Sequence, residues 1–177
     1  LAVLLVNANQ TVSLERLVDE LWADAPPAQA IASLQAYVSH LRRLLEPVRG
    51  APRVLVSQPP GYRMVVAPDD LDAARFERLA ADGRRLLEGG APDQAADGLA
   101  RALAVWRGPV LADFPDAAFA RGERARLEEL RLVALEDRIV ADLGRGRHAA
   151  VVPELERLVA THPYREGLHG LRMRALY

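Results

Sequence analysis

Between residues 28 and 67 five arginines, Arg42, Arg43, Arg49, Arg53 and Arg63, stand against a single acid, Glu46. A guanidinium is planar and permanently charged, so it can fork onto a phosphate or onto the edge of a guanine. A local excess of +4 is the electrostatic footprint of a surface that meets nucleic-acid backbone. Residues 68–177 differ, with 17 arginines and 19 acids. The formal net charge of −1 over 177 residues therefore conceals a basic module beside a mildly acidic one. All 23 basic residues are arginine. Codon bias accounts for that choice in the acidic half, whereas in the basic half it has chemical consequences.

Catalytic chemistry is hard to assemble from this sequence. No two of the four histidines, His40, His148, His162 and His169, sit three or four residues apart with a carboxylate in ligand spacing. The absence of cysteine excludes disulfides, thiolate metal sites and thiol nucleophiles. No phosphate-cradling glycine loop, nucleophile elbow or zinc-protease helix is present. The pairs Asp69-Asp70, Glu128-Glu129 and Glu136-Asp137 read as caps or solvated faces. The expectation is a protein that is not an enzyme, with no catalytic residue, cofactor or metal. An apolar fraction of 50% is enough for a buried core, and no run of 18 apolar residues forms a membrane span.

The elements that must position the arginines follow from periodicity. Leu1 to Val6 is an apolar helical turn or two without a start signal. Ser13 caps a helix whose apolar face is Leu14, Leu17, Val18, Leu21 and Trp22. After a turn from Asp24 to Pro27, a second helix runs from about Ala28 to Leu45. Its stripe is Ile31, Leu34, Val38, Leu41 and Leu45, and Pro47 and Gly50 end it. The period then becomes strand-like over 54–56 and 62–66, around the turn Pro59-Pro60-Gly61. The apolar stripe of the second helix leaves Ser33, Ala36, Tyr37, His40 and Arg43 on another face, with Arg42 beside it. Such a face can contact base edges and phosphates; the alternative is a solvated amphipathic helix with arginines favoured by its C-terminal dipole.

Residues 69–177 read as helix throughout. Asp69-Asp70 caps a helix bearing Phe76, Leu79, Gly83, Leu86 and Leu87, and Gly89-Gly90 breaks it. The next helix starts near Pro92 and ends at Gly108-Pro109. An irregular stretch from Val110 to Ala118 leads to a long helix ending near Leu143, followed by helices over 147–161 and 164–177. Pro153 falls inside the first of these and is expected to kink it. A shift of 56 residues places Gly90 on Gly146, Leu99 on Leu155 and Leu103 on Val159, which is the grammar of helical-hairpin repeats. Arg124, Arg126 and Arg131 are expected to pair with Glu123, Glu128 and Glu129. Trp106, Phe114 and Phe119 read as packing residues, with a ligand pocket as the alternative.

Two helices, the run Tyr37-Val38-Ser39-His40-Leu41-Arg42-Arg43-Leu44-Leu45 and a hairpin containing Pro59-Pro60-Gly61-Tyr62 resemble the OmpR-type winged helix-turn-helix. Downstream, Leu71-Asp72-Ala73-Ala74-Arg75-Phe76, Leu103-Ala104-Val105-Trp106-Arg107-Gly108-Pro109, Arg126-Leu127-Glu128-Glu129-Leu130-Arg131 and Ala134-Leu135-Glu136-Asp137-Arg138 are similar to the bacterial transcriptional activator domain. Together they resemble the SARP-type regulators (Streptomyces antibiotic regulatory proteins, the AfsR/DnrI group) over essentially the whole chain.

The resemblance implies a mainly α protein, with a winged helix-turn-helix over 1–67 and an all-α, tetratricopeptide-like domain over 68–177. The family's small N-terminal sheet would lie before Leu1, and both ends read as cut. The resemblance makes residues 28–45 the recognition helix, with Ser33, Ala36, Tyr37 and His40 nearest the bases and Arg42 and Arg43 on phosphates or base edges. Trp22 would offer its indole N–H to a phosphate, or else anchor the core. Tyr62 and Arg63 of the wing would hold backbone. Gln58 stands where related wings often carry arginine; it can read an A·T minor groove but brings no charge. Asp24, Ala25, Pro26 and Pro27 would form the loop that faces RNA polymerase.

The implied function is sequence-specific activation of transcription, plausibly of secondary-metabolite genes. The implied partners are double-stranded DNA carrying promoter direct repeats, RNA polymerase and a second copy on DNA, with no membrane and a cytoplasmic location. Two alternatives remain open at this level. One is a helical-repeat scaffold for protein partners, and the other is the front end of a larger signalling ATPase.

Overall fold

The computed structural model describes residues 1–23, 25–46 and 52–177. Asp24, Arg49, and the Pro47 and Gly50 expected to end the second helix lie outside the described residues. The chain divides into two compact units, residues 1–70 with 111–124, and residues 71–110 with 125–177. No helix among the described residues is long and apolar enough to cross a membrane.

The first unit begins with helix α1 (Ala2–Val6), strand β1 (Thr11–Ser13) and helix α2 (Leu14–Trp22). The Ser13 hydroxyl accepts the Arg16 N–H at 3.1 Å, the N-cap that serine was expected to supply. Helix α3 spans Ala30–Leu45, two residues later than the expected start at Ala28. The hairpin strands are β2 (Leu55–Gln58) and β3 (Gly61–Met64). All three strands form one antiparallel sheet in the order β1-β3-β2.

Strand β1 was not foreseen, because three residues are too few to display an alternating pattern. Its register pairs Val12 with Tyr62 and Ser13 with Gly61. A Cβ added at Gly61 would lie 1.9 Å from the Val12 carbonyl oxygen, so only glycine allows β1 to approach. Asn9, at φ 63°, ties the preceding turn to the far end of the hairpin. Its Nδ2 donates to the Val66 carbonyl at 3.0 Å and its Oδ1 accepts the Val66 N–H at 3.1 Å. Val3, Leu4, Val12, Leu17, Leu34, Val38, Leu55, Tyr62 and Met64 form the core, and Trp22, Leu41, Leu45 and Phe119 pack against it.

The second unit comprises helices α4 (Asp72–Glu88) and α5 (Pro92–Leu103), the body of α6 (Ala118–Gly144), α7 (His148–Thr161) and α8 (Glu166–Leu176). Asp69 and Asp70 do not cap α4; they sit in a 3-10 turn over Pro68–Asp70, and Asp72 bonds its neighbour's N–H instead. Helix α5 ends at Leu103 rather than at Gly108-Pro109. Short-range bonds from Val105 N–H to Ala102 O and from Trp106 N–H to Leu103 O tighten the chain away from helix there. That bend sets Trp106 edge-on against Phe76, with centroids 5.4 Å apart. Helix α7 continues through Pro153.

The 56-residue repeat is present in the backbone. Gly90 and Gly146 adopt φ of 74° and 76°. The same three bonds close both turns: Gly89 N–H to Arg85 O, Gly90 N–H to Leu87 O and Ala91 N–H to Leu86 O, matched by Arg145 to Ala141, Gly146 to Leu143 and Arg147 to Asp142. Leu99 and Leu155, equivalent by the same shift, are both fully buried. Arginines and acids of the long helix also reach beyond their immediate neighbours. Arg126 reaches Glu77, Glu129 receives Arg165, and Arg131 lies over the Trp106 ring at 4.8 Å. Arg124 donates to the carbonyls of Phe114 and Pro115.

Candidate nucleic-acid interface

Helix α3 presents one face to the core through Leu34 and Val38, and the opposite face to solvent. Ala32, Gln35, Ala36, Ser39, His40 and Arg43 are all exposed on that outer side, and no acid stands among them. Ala36, Ser39, His40 and Arg43 recur at three- and four-residue steps and make one continuous ridge. The small side chain of Ala36 leaves the centre of the ridge low, so a groove floor could come close to the backbone. Ser33 is half-buried at the flank. Sequence reasoning passed over Ala32, Gln35 and Ser39, although their spacing from Ala36 and Arg43 held the signal.

Arg43 Nη2 donates to His40 Nδ1 at 3.2 Å. Because guanidinium carries donors only, the ring nitrogen facing it is the acceptor, and the ring hydrogen sits on Nε2. The imidazole is thereby oriented with a donor directed away from Arg43. Arg42 is placed differently. Its Nε donates to the Leu55 carbonyl at 2.8 Å and its Nη2 to Ser57 Oγ at 2.9 Å, while its guanidinium lies 5.7 Å from the centre of the Tyr62 ring. These three contacts fasten α3 to the wing hairpin and occupy donors that sequence reasoning had assigned to phosphates or bases.

Glu46, just past the end of α3, completes this junction. Its carboxylate accepts the backbone N–H groups of Arg53, Val54 and Leu55 at 2.9–3.1 Å. The Leu55 N–H first, then those of Arg53 and Val54 and the charge of Arg42, hold the carboxyl below its ordinary value against the opposing effect of desolvation. The lone acid of the basic segment is thus engaged by backbone donors at the root of the wing.

Trp22 is half-buried, packs on the first unit's core, and stacks on the exposed Tyr37 at 6.2 Å with planes 24° apart. The anchoring role therefore coexists with a position beside the ridge. On the wing, Gln58 is half-exposed next to the turn, whereas Tyr62 is 8% exposed and belongs to the core. Arg63 is partly exposed, with a buried Nε that meets no partner, and Arg53 is exposed. Ala25, Pro26 and Pro27 lie exposed between α2 and α3. The structure thus gathers Ala36, His40 and Arg43 on one ridge with Tyr37 and Trp22 at its side, and assigns Arg42 and Tyr62 to holding the wing. Among the described residues no group of three or more His, Asp or Glu side chains is arranged to hold a metal.

Comparison with known proteins gives a consistent result. Residues 71–177 match the family described as bacterial transcriptional activator domain, and residues 1–64 match that described as transcriptional regulatory protein, C terminal. Regulatory protein AfsR of Streptomyces coelicolor is 43% identical over all of this chain, which covers 17% of AfsR. Regulatory protein DnrI of Streptomyces peucetius is 40% identical over 99% of the chain and is itself covered to 67%. A solved structure of Mycobacterium tuberculosis EmbR, in complex with a low affinity phosphopeptide, superposes with a TM-score of 0.92 at 38% identity. That match covers 98% of this chain and 46% of EmbR. The chain thus spans from about a sixth to two thirds of the length of these relatives.

Proposed function

This chain belongs to the SARP-type regulators, in which an OmpR-type winged helix is joined to a bacterial transcriptional activator domain, and on that premise we propose that it binds promoter DNA sequence-specifically and activates transcription. The observation that carries this reading is the acid-free outer ridge of α3, with Ala36 low at its centre and the oriented pair His40 and Arg43 toward its end. In a major groove such a ridge offers a ring N–H and a guanidinium to base edges and phosphate, which is the chemistry of direct readout. Tyr37, Trp22 and Ser33 flank that contact. The wing brings Gln58, Arg63 and Arg53 toward neighbouring backbone, and Tyr62 and Arg42 fix the angle at which it does so.

In this reading Asp24, Ala25, Pro26 and Pro27, the last three of them exposed, face RNA polymerase. Two copies occupy direct repeats in the promoter, about one helical turn apart, and the genes controlled are those of secondary metabolism. Such activity takes place in the cytoplasm without catalysis. The regulatory names of AfsR, DnrI and EmbR support this assignment.

Selection from a random duplex library, followed by fluorescence anisotropy on the enriched sequence, tests it. The chain should enrich a repeated motif, and Ala36→Asp, which sets a carboxylate in the centre of the ridge, should weaken binding more than tenfold. Failure to enrich any sequence, or full affinity in Ala36→Asp, would reject the reading.

A further inference from the structure

The second unit carries a concavity that DNA recognition by α3 does not use. It has a volume of about 610 Å³ and is lined by Asp72, Arg75, Arg78 and Leu79 of α4, by Arg101 of α5, and by Ala104, Val105 and Arg107 just beyond. The volume falls within the range of about 300–1,000 Å³ typical of sites for small ligands. Four arginines line it against one carboxylate. In an acidic domain that balance calls for a cause.

Several other arginines of the same unit are matched with acid. Arg84 meets Asp137, Arg138 meets both Asp142 and Glu154, and Arg165 meets Glu129 and Glu136. At the concavity the matching is incomplete. Asp72 pairs with Arg107 at 3.1 Å, and both side chains are largely exposed. Arg101 has only a long Nε contact to the Asp97 carbonyl at 3.4 Å. Arg75 meets no carboxylate among the described residues. Leu79, Ala104 and Val105 supply an apolar floor between these cations.

We propose that this concavity is a binding site for a small phosphorylated ligand. Arg75 and Arg101 fork onto its phosphate oxygens, Arg78 and Arg107 line the approach, and the apolar floor receives the uncharged part of the molecule. Two guanidinium forks without a carboxylate partner among the described residues, those of Arg75 and Arg101, suit the several oxygens of a diphosphate better than a single carboxylate. A concave wall with an apolar floor fits a compact molecule, whereas duplex backbone presents a convex ridge. Occupancy would offset the mutual repulsion of these arginines and tighten α4 against α5.

Titration calorimetry of the full 177-residue chain with inorganic pyrophosphate at constant ionic strength tests this, with DNA binding measured on the same samples. Saturable one-site binding is expected. Arg75→Lys and Arg101→Lys, which keep charge but lose the fork, should each weaken it about tenfold. Asp72→Asn, which removes the lining carboxylate, should tighten it, a gain that misfolding cannot mimic. Arg85→Ala, on the same helix but engaged with Asp82, should leave pyrophosphate affinity unchanged. Absence of saturable binding, or an equal loss in Arg85→Ala, overturns the proposal. Stronger competition by polyglutamate than by pyrophosphate, or displacement of pyrophosphate by duplex DNA, overturns it too, the surface then belonging to an acidic protein segment or to DNA backbone. Loss of pyrophosphate binding with DNA affinity intact separates this site from the α3 ridge.

Discussion

Arg42 and Arg43 are adjacent in sequence and separated in role by about 100° of helix. Arg43 lies on the outer ridge beside His40, whereas Arg42 is spent on the Leu55 carbonyl, Ser57 Oγ and the Tyr62 ring. The two should therefore respond differently to alanine. Arg43→Ala should flatten the dependence of log affinity on log salt by about one unit, one phosphate's worth, with urea stability unchanged. Arg42→Ala should cost about 1–3 kcal/mol of stability through lost charge-assisted hydrogen bonds and leave the salt slope nearly intact. Interchanged results would mean that Arg42, and not Arg43, meets DNA. Glu46 yields a pH prediction at the same scale. Its folded carboxyl titrates below the ordinary value of 4.5, chiefly because of the Leu55 N–H. Its stabilisation is therefore complete above that ordinary value and is lost as pH falls through the lower folded one. Glu46→Gln should be less stable than the parent near neutrality, and the two should converge on acidification. A gap between their denaturation midpoints that persists unchanged into acid would contradict this.

Among the elements, the helices were the most legible and the shortest strand the least. The stripe on α3 from Leu34 to Leu45 and the cap at Ser13 could be read directly, whereas Ile31, expected in the same stripe, is exposed near the start of the helix. The 56-residue shift located both glycine turns, because a left-handed residue at a helix end leaves a compositional mark. The end of α5 could not be read. Apolar spacing runs on into Val105 and Trp106, and tertiary packing of Trp106 on Phe76 overrides it. The outer ridge was half legible for a related reason: Ala36, His40 and Arg43 carry chemistry by type, whereas Ala32 and Ser39 qualify only by position. Strand β1 has no periodic signal of its own, and its trace lies in another element, at Gly61. Glycine there was read as turn chemistry, yet the structure requires it because Val12 O and Ser13 Cα occupy the place of a side chain. Gly61→Ala should accordingly separate β1 from β3 and cost about 2–4 kcal/mol, read by chemical denaturation. Hydrogen exchange should accelerate first at Val12 and Ser13. A variant as stable as the parent would mean that the strand shifts freely, contrary to the close approach seen here.

For the molecule as a whole, chain order and compactness diverge at residues 111–124, which belong to the first unit although helical segments of the second lie on both sides in sequence. Phe119 is the reason. It packs against the winged-helix core and lies 5.5 Å from Phe114, while Ala120 beside it is fully buried. The two tryptophans allow this to be tested, since Trp22 lies in the first unit and Trp106 in the second. In Trp106→Phe the remaining fluorescence reports unfolding of the winged helix, and in Trp22→Phe that of the helical unit. Adding Phe119→Ala to each background removes a partly buried aromatic, for which a loss of about 1–3 kcal/mol is reasonable, less than the 3–5 of a full core site. The midpoint reported by Trp22 should fall by that amount, and the midpoint reported by Trp106 should move much less. A larger fall at Trp106 would place Phe119 with the helical unit. Equal falls would mean that the two units unfold in one cooperative step, so that a change confined to the winged-helix core also sets the stability of the arginine-lined concavity.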